Sequence, residues 1–175
     1  MIPRLETERL LLRGWEERDL DAYAAMTADA EVMRYMGRGP FDRDEAWREI
    51  ALYLGHFELR GYTHWALELR ETGELVGRCG PWRPEGWPGL EVGWLLGRQY
   101  WGNGYATEAG RAALDYAWSD LAAERVISLV LPGNEHSARV AARLGGEPAG
   151  RTVFRGLETD VFDYRRPPTS GRDRG

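Results

Sequence analysis

The sequence predicts a single α+β domain: a mixed sheet of about seven strands with helices on its faces. Three observations lead there. The chain has 175 residues, 43% apolar and 29% charged, an ordinary globular mixture long enough to bury its own core. Neither an internal repeat nor a linker divides it. Read for hydrophobic period, its segments run β-α-α-β-β-β-α-β-α-β-β.

The elements follow in order. Leu5 to Arg13 reads as a first strand. Asp19 is placed to cap a short helix with Leu20, Tyr23, Ala24 and Thr27 on one face. After a loop at Met36 to Pro40, Asp42 opens a longer helix that carries Ala46, Trp47, Ile50, Leu54 and Phe57 at helical spacing and stops at Gly61. Thr63 to Arg70 alternates as a strand, Glu71 to Glu74 turns, and Leu75 to Gly80 returns as the second arm of a hairpin. The loop Pro81 to Gly89 precedes a strand at Leu90 to Leu96, a Gly-rich segment, and an Ala-rich helix from Tyr105 to Trp118. Val126 to Leu131 is a continuous apolar strand, and His136 to Leu144 a short helix stopped by Gly145-Gly146. A last hairpin joins Glu147–Phe154 to Glu158–Tyr164 around Arg155-Gly156. The domain is expected to span residues 1–166, with 167–175 a disordered tail.

Composition excludes several classes. The net charge is −5 and all 23 basic residues are Arg, with no basic block, so broad binding to a nucleic-acid backbone is not expected. No window nears the run of about 18 apolar residues that a membrane helix needs. No signal peptide is recognisable, and a cytoplasmic location is expected. The lone Cys79 reads as a buried small hydrophobe, and the spacings of His56, His64 and His136 match no metal site.

The most informative segment is Leu90 to Glu108. A strand leads into Gln99-Tyr-Trp-Gly102-Asn-Gly104, and a helix starts directly after. A helix N-terminus has unpaired N–H groups and a positive dipole end, and glycines let an anion approach it, so this junction suits a phosphate or pyrophosphate. The Gly spacing is wrong for a dinucleotide fingerprint, and a P-loop would need a Lys. A purely structural turn is the alternative.

Gln99-x-x-Gly102-x-Gly104 resembles the acetyl-CoA signature of the GNAT N-acetyltransferase superfamily, and Tyr100 to Ala109 is similar to its RimJ/RimL-type branch. Thr7 to Arg13 resembles that branch's opening strand, and Val153 to Asp160 its final hairpin. The resemblance implies a mostly antiparallel sheet, splayed at the acetyl-CoA site. It implies acetyl transfer to a primary amine, by direct attack in a ternary complex and without a metal.

Site roles follow from the same resemblance. Backbone amides from Gln99, Tyr100, Trp101, Gly102, Asn103 and Gly104, with Ala106 and Thr107, would hold the pyrophosphate. An amide among Trp94, Leu95 and Leu96 would polarise the thioester oxygen. Asn134 would contact coenzyme A, or cap its helix. Where many relatives place a Tyr proton donor this chain has Ala141; Ser137 would instead bond the leaving sulfur, or act as a cap. Glu91 would accept the amine's proton, or be a strand-edge charge. Trp82 and Trp87 would line the acceptor pocket, or be core. Gly146 departs from the Phe usual after Leu-Gly.

Two other readings stay open: a non-catalytic acyl-CoA-binding module, and transfer of another acyl group such as succinyl. The acceptor is a protein N-terminus, a polyamine, an amino acid or an antibiotic. Related enzymes are often dimers.

Overall fold

Eight strands form one sheet, in the spatial order β1-β2-β3-β4-β5-β6-β8-β7, in the computed structural model, which describes residues 1–167. The expected tail lies outside the described residues from position 168 on. The strands are β1 (Leu5–Glu6), β2 (Leu10–Arg13), β3 (Trp65–Leu69), β4 (Leu75–Trp82), β5 (Glu91–Leu96), β6 (Arg125–Val130), β7 (Glu147–Phe154) and β8 (Leu157–Arg165). The helices are α1 (Leu20–Thr27), α2 (Ala30–Met33), α3 (Arg43–Arg60), α4 (Tyr105–Ser119) and α5 (Glu135–Arg143). Only β5 and β6 run parallel; every other neighbouring pair is antiparallel.

The additional strand comes from the opening segment, which is not one strand. The Thr7 hydroxyl accepts the Leu10 N–H at 3.0 Å and donates to Glu108 Oε1 at 2.6 Å. Such local side-chain bonding competes with extension, and the chain folds back as a narrow β1–β2 hairpin. Asp19 does not cap α1 either. Its carboxylate accepts two bonds from Arg13, both at 2.7 Å, and the Glu16 N–H at 2.9 Å. Arg13 and Asp19 are each 3% exposed, so this is an ion pair inside the fold, and it ties β2 to the turn before α1.

Helix α3 starts and stops where its chemistry directs. Asp42 Oδ1 accepts the Glu45 N–H and Glu45 Oε2 accepts the Asp42 N–H, a reciprocal cap, and Gly61 closes the helix at φ 80°. Its buried face is turned from the expected one. Ala46, Ile50, Tyr53 and His56 are buried, while Trp47 and Leu54 are exposed. Tyr53 stacks on Trp15 and His56 on Trp82, so polar-tipped rings outcompete the purely apolar stripe.

The sheet separates two apolar layers. One face packs Leu10, Leu12, Leu67, Val76 and Val92 under Ala109, Ala113 and Ala117 of α4. The other sets Ala66, Leu75 and Leu95 against α1, α2 and α3. Gly146 has a steric cause: a Cβ there would stand 2.9 Å from both Ala141 O and Tyr164 Cε1. Tyr164, reaching in from β8, fills the space beside this position.

Candidate active site

Strands β4 and β5 pair along their whole length, from Gly77↔Leu96 to Trp82↔Glu91. Strands β5 and β6 pair at Glu91↔Ile127 alone and then part. Leu90 O accepts the Ile127 N–H at 2.9 Å, so by the alternation of strand polar groups Val92, Trp94 and Leu96 also aim theirs toward the gap. Val92 O is taken by the Ser128 hydroxyl at 2.6 Å and Leu96 O by the Trp101 indole N–H at 2.8 Å. The free edge therefore centres on Trp94.

At one end of this edge sits the glycine turn. Gly102 and Gly104 have φ of 79° and 82°, conformations that ordinary residues adopt only under strain. No side chain caps α4, and the helix's first backbone bond is Glu108 N–H to Gly104 O at 3.0 Å. The preceding N–H groups are thus left for a ligand. A Cβ on Gly102 would meet nothing within 4 Å, so the turn's outer side is open. Arg9 braces it from β2's approach, donating to Asn103 O at 2.9 Å and pairing with Glu108 at 2.7 Å. Replacing Gly104 by Ala is expected to lower stability by about 1–2 kcal/mol through this φ alone, measurable by urea unfolding.

At the other end a cavity of about 260 Å³ opens between the split strands and α3. Glu91, Trp82, Trp87, Trp94, Leu95, Asn134 and Ser137 all line it. Glu91 Oε2 accepts the Trp87 indole N–H at 2.6 Å, and Oε1 the Leu129 N–H at 3.4 Å. Burial lifts the Glu91 carboxyl above the usual carboxylate range; these two bonds and the charge of Arg78 pull the other way and lose. The tip of the β7–β8 hairpin roofs the cavity with Phe154, Arg155 and Leu157. Arg155 and Gly156 are its two turn residues, both at positive φ (51° and 79°).

Residues 9–147 match the sequence profile of the family described as acetyltransferase (GNAT) domain. The chain belongs to the GNAT acetyltransferase family. An uncharacterized N-acetyltransferase of Bacillus licheniformis, p20, is 32% identical over 148 residues, 83% of each chain. The solved acetyltransferase of Agrobacterium tumefaciens str. C58 superposes with a TM-score of 0.84 at 34% identity, covering 95% of this chain and 96% of that one. RimL, a ribosomal L7/L12 α-N-protein acetyltransferase solved with coenzyme A, shares the fold: TM-score 0.77 at 15% identity, over 93% and 98% of the chains.

In this GNAT acetyltransferase the residues singled out from sequence fall into two groups. Those from Trp94 to Leu95, with Glu91, Asn134, Ser137, Trp82 and Trp87, meet at the cavity. Leu96, Gln99, Tyr100, Trp101, Gly102, Asn103, Gly104, Ala106 and Thr107 lie along and beyond the far end of β5, off the cavity wall. Asn134 Oδ1 accepts the Ser137 N–H at 3.2 Å, so Asn134 caps α5 while it also faces the cavity. Trp101 stands 43% exposed beside His136, ring centroids 6.2 Å apart. Cys79 is fully buried in the core, its thiol pushed up to about 12 by burial.

Sequence reading missed Arg78, His64 and Arg155 on the cavity wall. Arg78 is 4% exposed although it lies in a strand between Gly77 and Cys79, where nothing local distinguishes it from a solvated charge.

Proposed function

We propose that this GNAT acetyltransferase moves an acetyl group from acetyl-CoA to a primary amine by direct attack within a ternary complex. The observation that carries the reading is the partly buried carboxylate of Glu91 at the fork of β5 and β6, with a free strand edge on one side and a cavity on the other.

The open glycine turn and the uncapped α4 suit the pyrophosphate, through amides from Gln99 to Gly104 and those of Ala106 and Thr107. The edge at Trp94 suits the pantetheine arm, which would lie along β5 as an added strand does. Its N–H, or a neighbour's at Leu95 or Leu96, would polarise the thioester oxygen as charge develops. Glu91 would take a proton from the arriving ammonium, directly or through water, and the neutral amine so formed attacks the carbonyl carbon. As the C–S bond breaks, the Ser137 hydroxyl hydrogen-bonds the departing sulfur. Trp82 and Trp87 wall the acceptor side, where their rings suit an amine that arrives as a cation. The RimJ/RimL resemblance makes a protein N-terminal α-amine one acceptor class and small amines the other.

Acetyl-CoA at ~100 times its dissociation constant should stabilise the protein by about 2.7 kcal/mol, a shift of several degrees in a thermal scan. ATP and NAD should give none. Absence of any shift at millimolar acetyl-CoA would sink the proposal; a shift without thiol release across an amine panel would leave an acyl-CoA-binding module instead.

A further inference from the structure

Apart from Glu91, the polar wall of the cavity is dominated by cations and hydrogen-bond donors. Arg78 and His64 line it together, each 4% exposed. A guanidinium only donates, so the 2.7 Å contact between Arg78 Nη1 and His64 Nδ1 makes Nδ1 the acceptor and places the imidazole proton on Nε2. The His64 Nε2–H then has no partner among the described residues, and neither has the Arg78 Nε–H. Burying donors unpaired is unfavourable, and native folds rarely leave two on one wall without a use for them.

Two more guanidinium groups line the same cavity. Arg38 stacks over Phe41 at 4.0 Å and Arg155 over Trp87 at 4.7 Å, and among the described residues neither forms an ion pair. Against these three arginines stand two carboxylates, Glu91 and Glu49, and Glu49 already holds the Tyr23 hydroxyl at 2.5 Å. His64 Nε2 and Glu91 Oε1 both border the bare face of Gly93, 3.6 and 3.4 Å from where its Cβ would stand. A donor and a carboxylate are therefore within reach of one small molecule.

Resting on acetyl transfer as proposed above, we infer that the acceptor is an amine carrying its own carboxylate, of the free amino-acid class. Its ammonium faces Glu91 and its carboxylate faces the Arg78 guanidinium and the His64 imidazole, beside the bare face of Gly93. A polyamine would bring a second cation toward three guanidinium groups. A peptide N-terminus would put a neutral amide beside Arg78, which forms no direct ion pair among the described residues and faces the charges of Glu49 and Glu91 only at longer range. His64, held neutral by burial and then by the adjoining Arg78, acts here as a fixed donor and a positioning residue, not as the base.

The test compares free amino acids, the same amino acids as carboxamides, and spermidine. Thiol release from acetyl-CoA reads turnover, and thermal shift in the presence of coenzyme A, which has no acetyl to give, reads binding. The expected result is a kcat/KM at least 100-fold higher for the acids than for their amides, with a thermal shift for the acids only. Arg155→Gln, at an exposed turn position, should cut that preference about tenfold, chiefly through KM, with an unchanged melting temperature as the control for folding. Arg78→Met should abolish it. Equal turnover and equal shifts for acids and amides, or a preference for spermidine, would overturn the inference and leave acetyl transfer standing. Binding of acids without turnover on any amine would uphold the ligand class and overturn the transferase reading instead.

Discussion

Glu91→Gln is expected to lower kcat/KM for acetyl transfer by about 10²–10⁴-fold, the usual contribution of a positioned acid or base. Binding of coenzyme A should be kept, since neither the glycine-turn amides nor the edge at Trp94 bonds this side chain. The pH profile separates catalysis from mere packing. Only the ionised carboxylate accepts a proton, so the wild-type rate should rise with pH through a value above the usual carboxylate range, where burial has moved Glu91. In the variant that limb should vanish, leaving only the titration of the free amine. Stability should move little or upward. A carboxyl whose folded pKa is raised contributes stability below its unfolded pKa and loses it as pH rises, so at neutral pH the charge works against the fold. A variant that keeps its rate, or loses rate together with several degrees of melting temperature, would remove Glu91 from the mechanism.

Asp19→Ala should destabilise the protein by about 3–5 kcal/mol, the cost of breaking a buried ion pair from one side. Both partners are 3% exposed, two guanidinium bonds and one backbone N–H end on Asp19, and Arg13 would keep only Glu68 at 2.8 Å and the Gly14 carbonyl at 3.0 Å. Urea unfolding measures it through the midpoint. The surface pair Arg48–Asp44, with both side chains more than half exposed, is the control, and Asp44→Ala should hardly move the midpoint. Equal effects at the two sites would show that the Arg13 cluster relaxes or hydrates when opened.

What was legible in the sequence is what is local. Gln99 to Gly104 announces a glycine turn running into a helix because the glycines and the helix start are adjacent, and the structure gives both glycines left-handed backbone. Asp42 at the start of α3, Gly61 at its end, and the Arg155-Gly156 turn are read correctly for the same reason. Illegible were the features that need register or reach. His64 and Arg78 meet because β3 and β4 slip register between Leu67 and Glu68, which no pattern of alternation reveals. Arg9 braces a turn 94 residues away. The α3 face was misjudged because counting apolar side chains omits Tyr53 and His56, whose rings are buried by stacking. The fork at Glu91 came only through resemblance: Leu90 to Leu96 and Val126 to Leu131 both read as strands, and neither tells where they stop pairing.

The roof of the cavity has a separate consequence. Phe154 to Leu157 is the tip of a hairpin whose outer arm, β7, is the last strand of the sheet. Among the described residues nothing is paired beyond it, and the glycine turn is built from other stretches of chain. Insertions at this tip would thus reshape the cavity mouth without shifting the strands proposed to seat the donor. With the sites as proposed, a hairpin tip grafted from a relative should change which amine is used and leave coenzyme A binding unchanged.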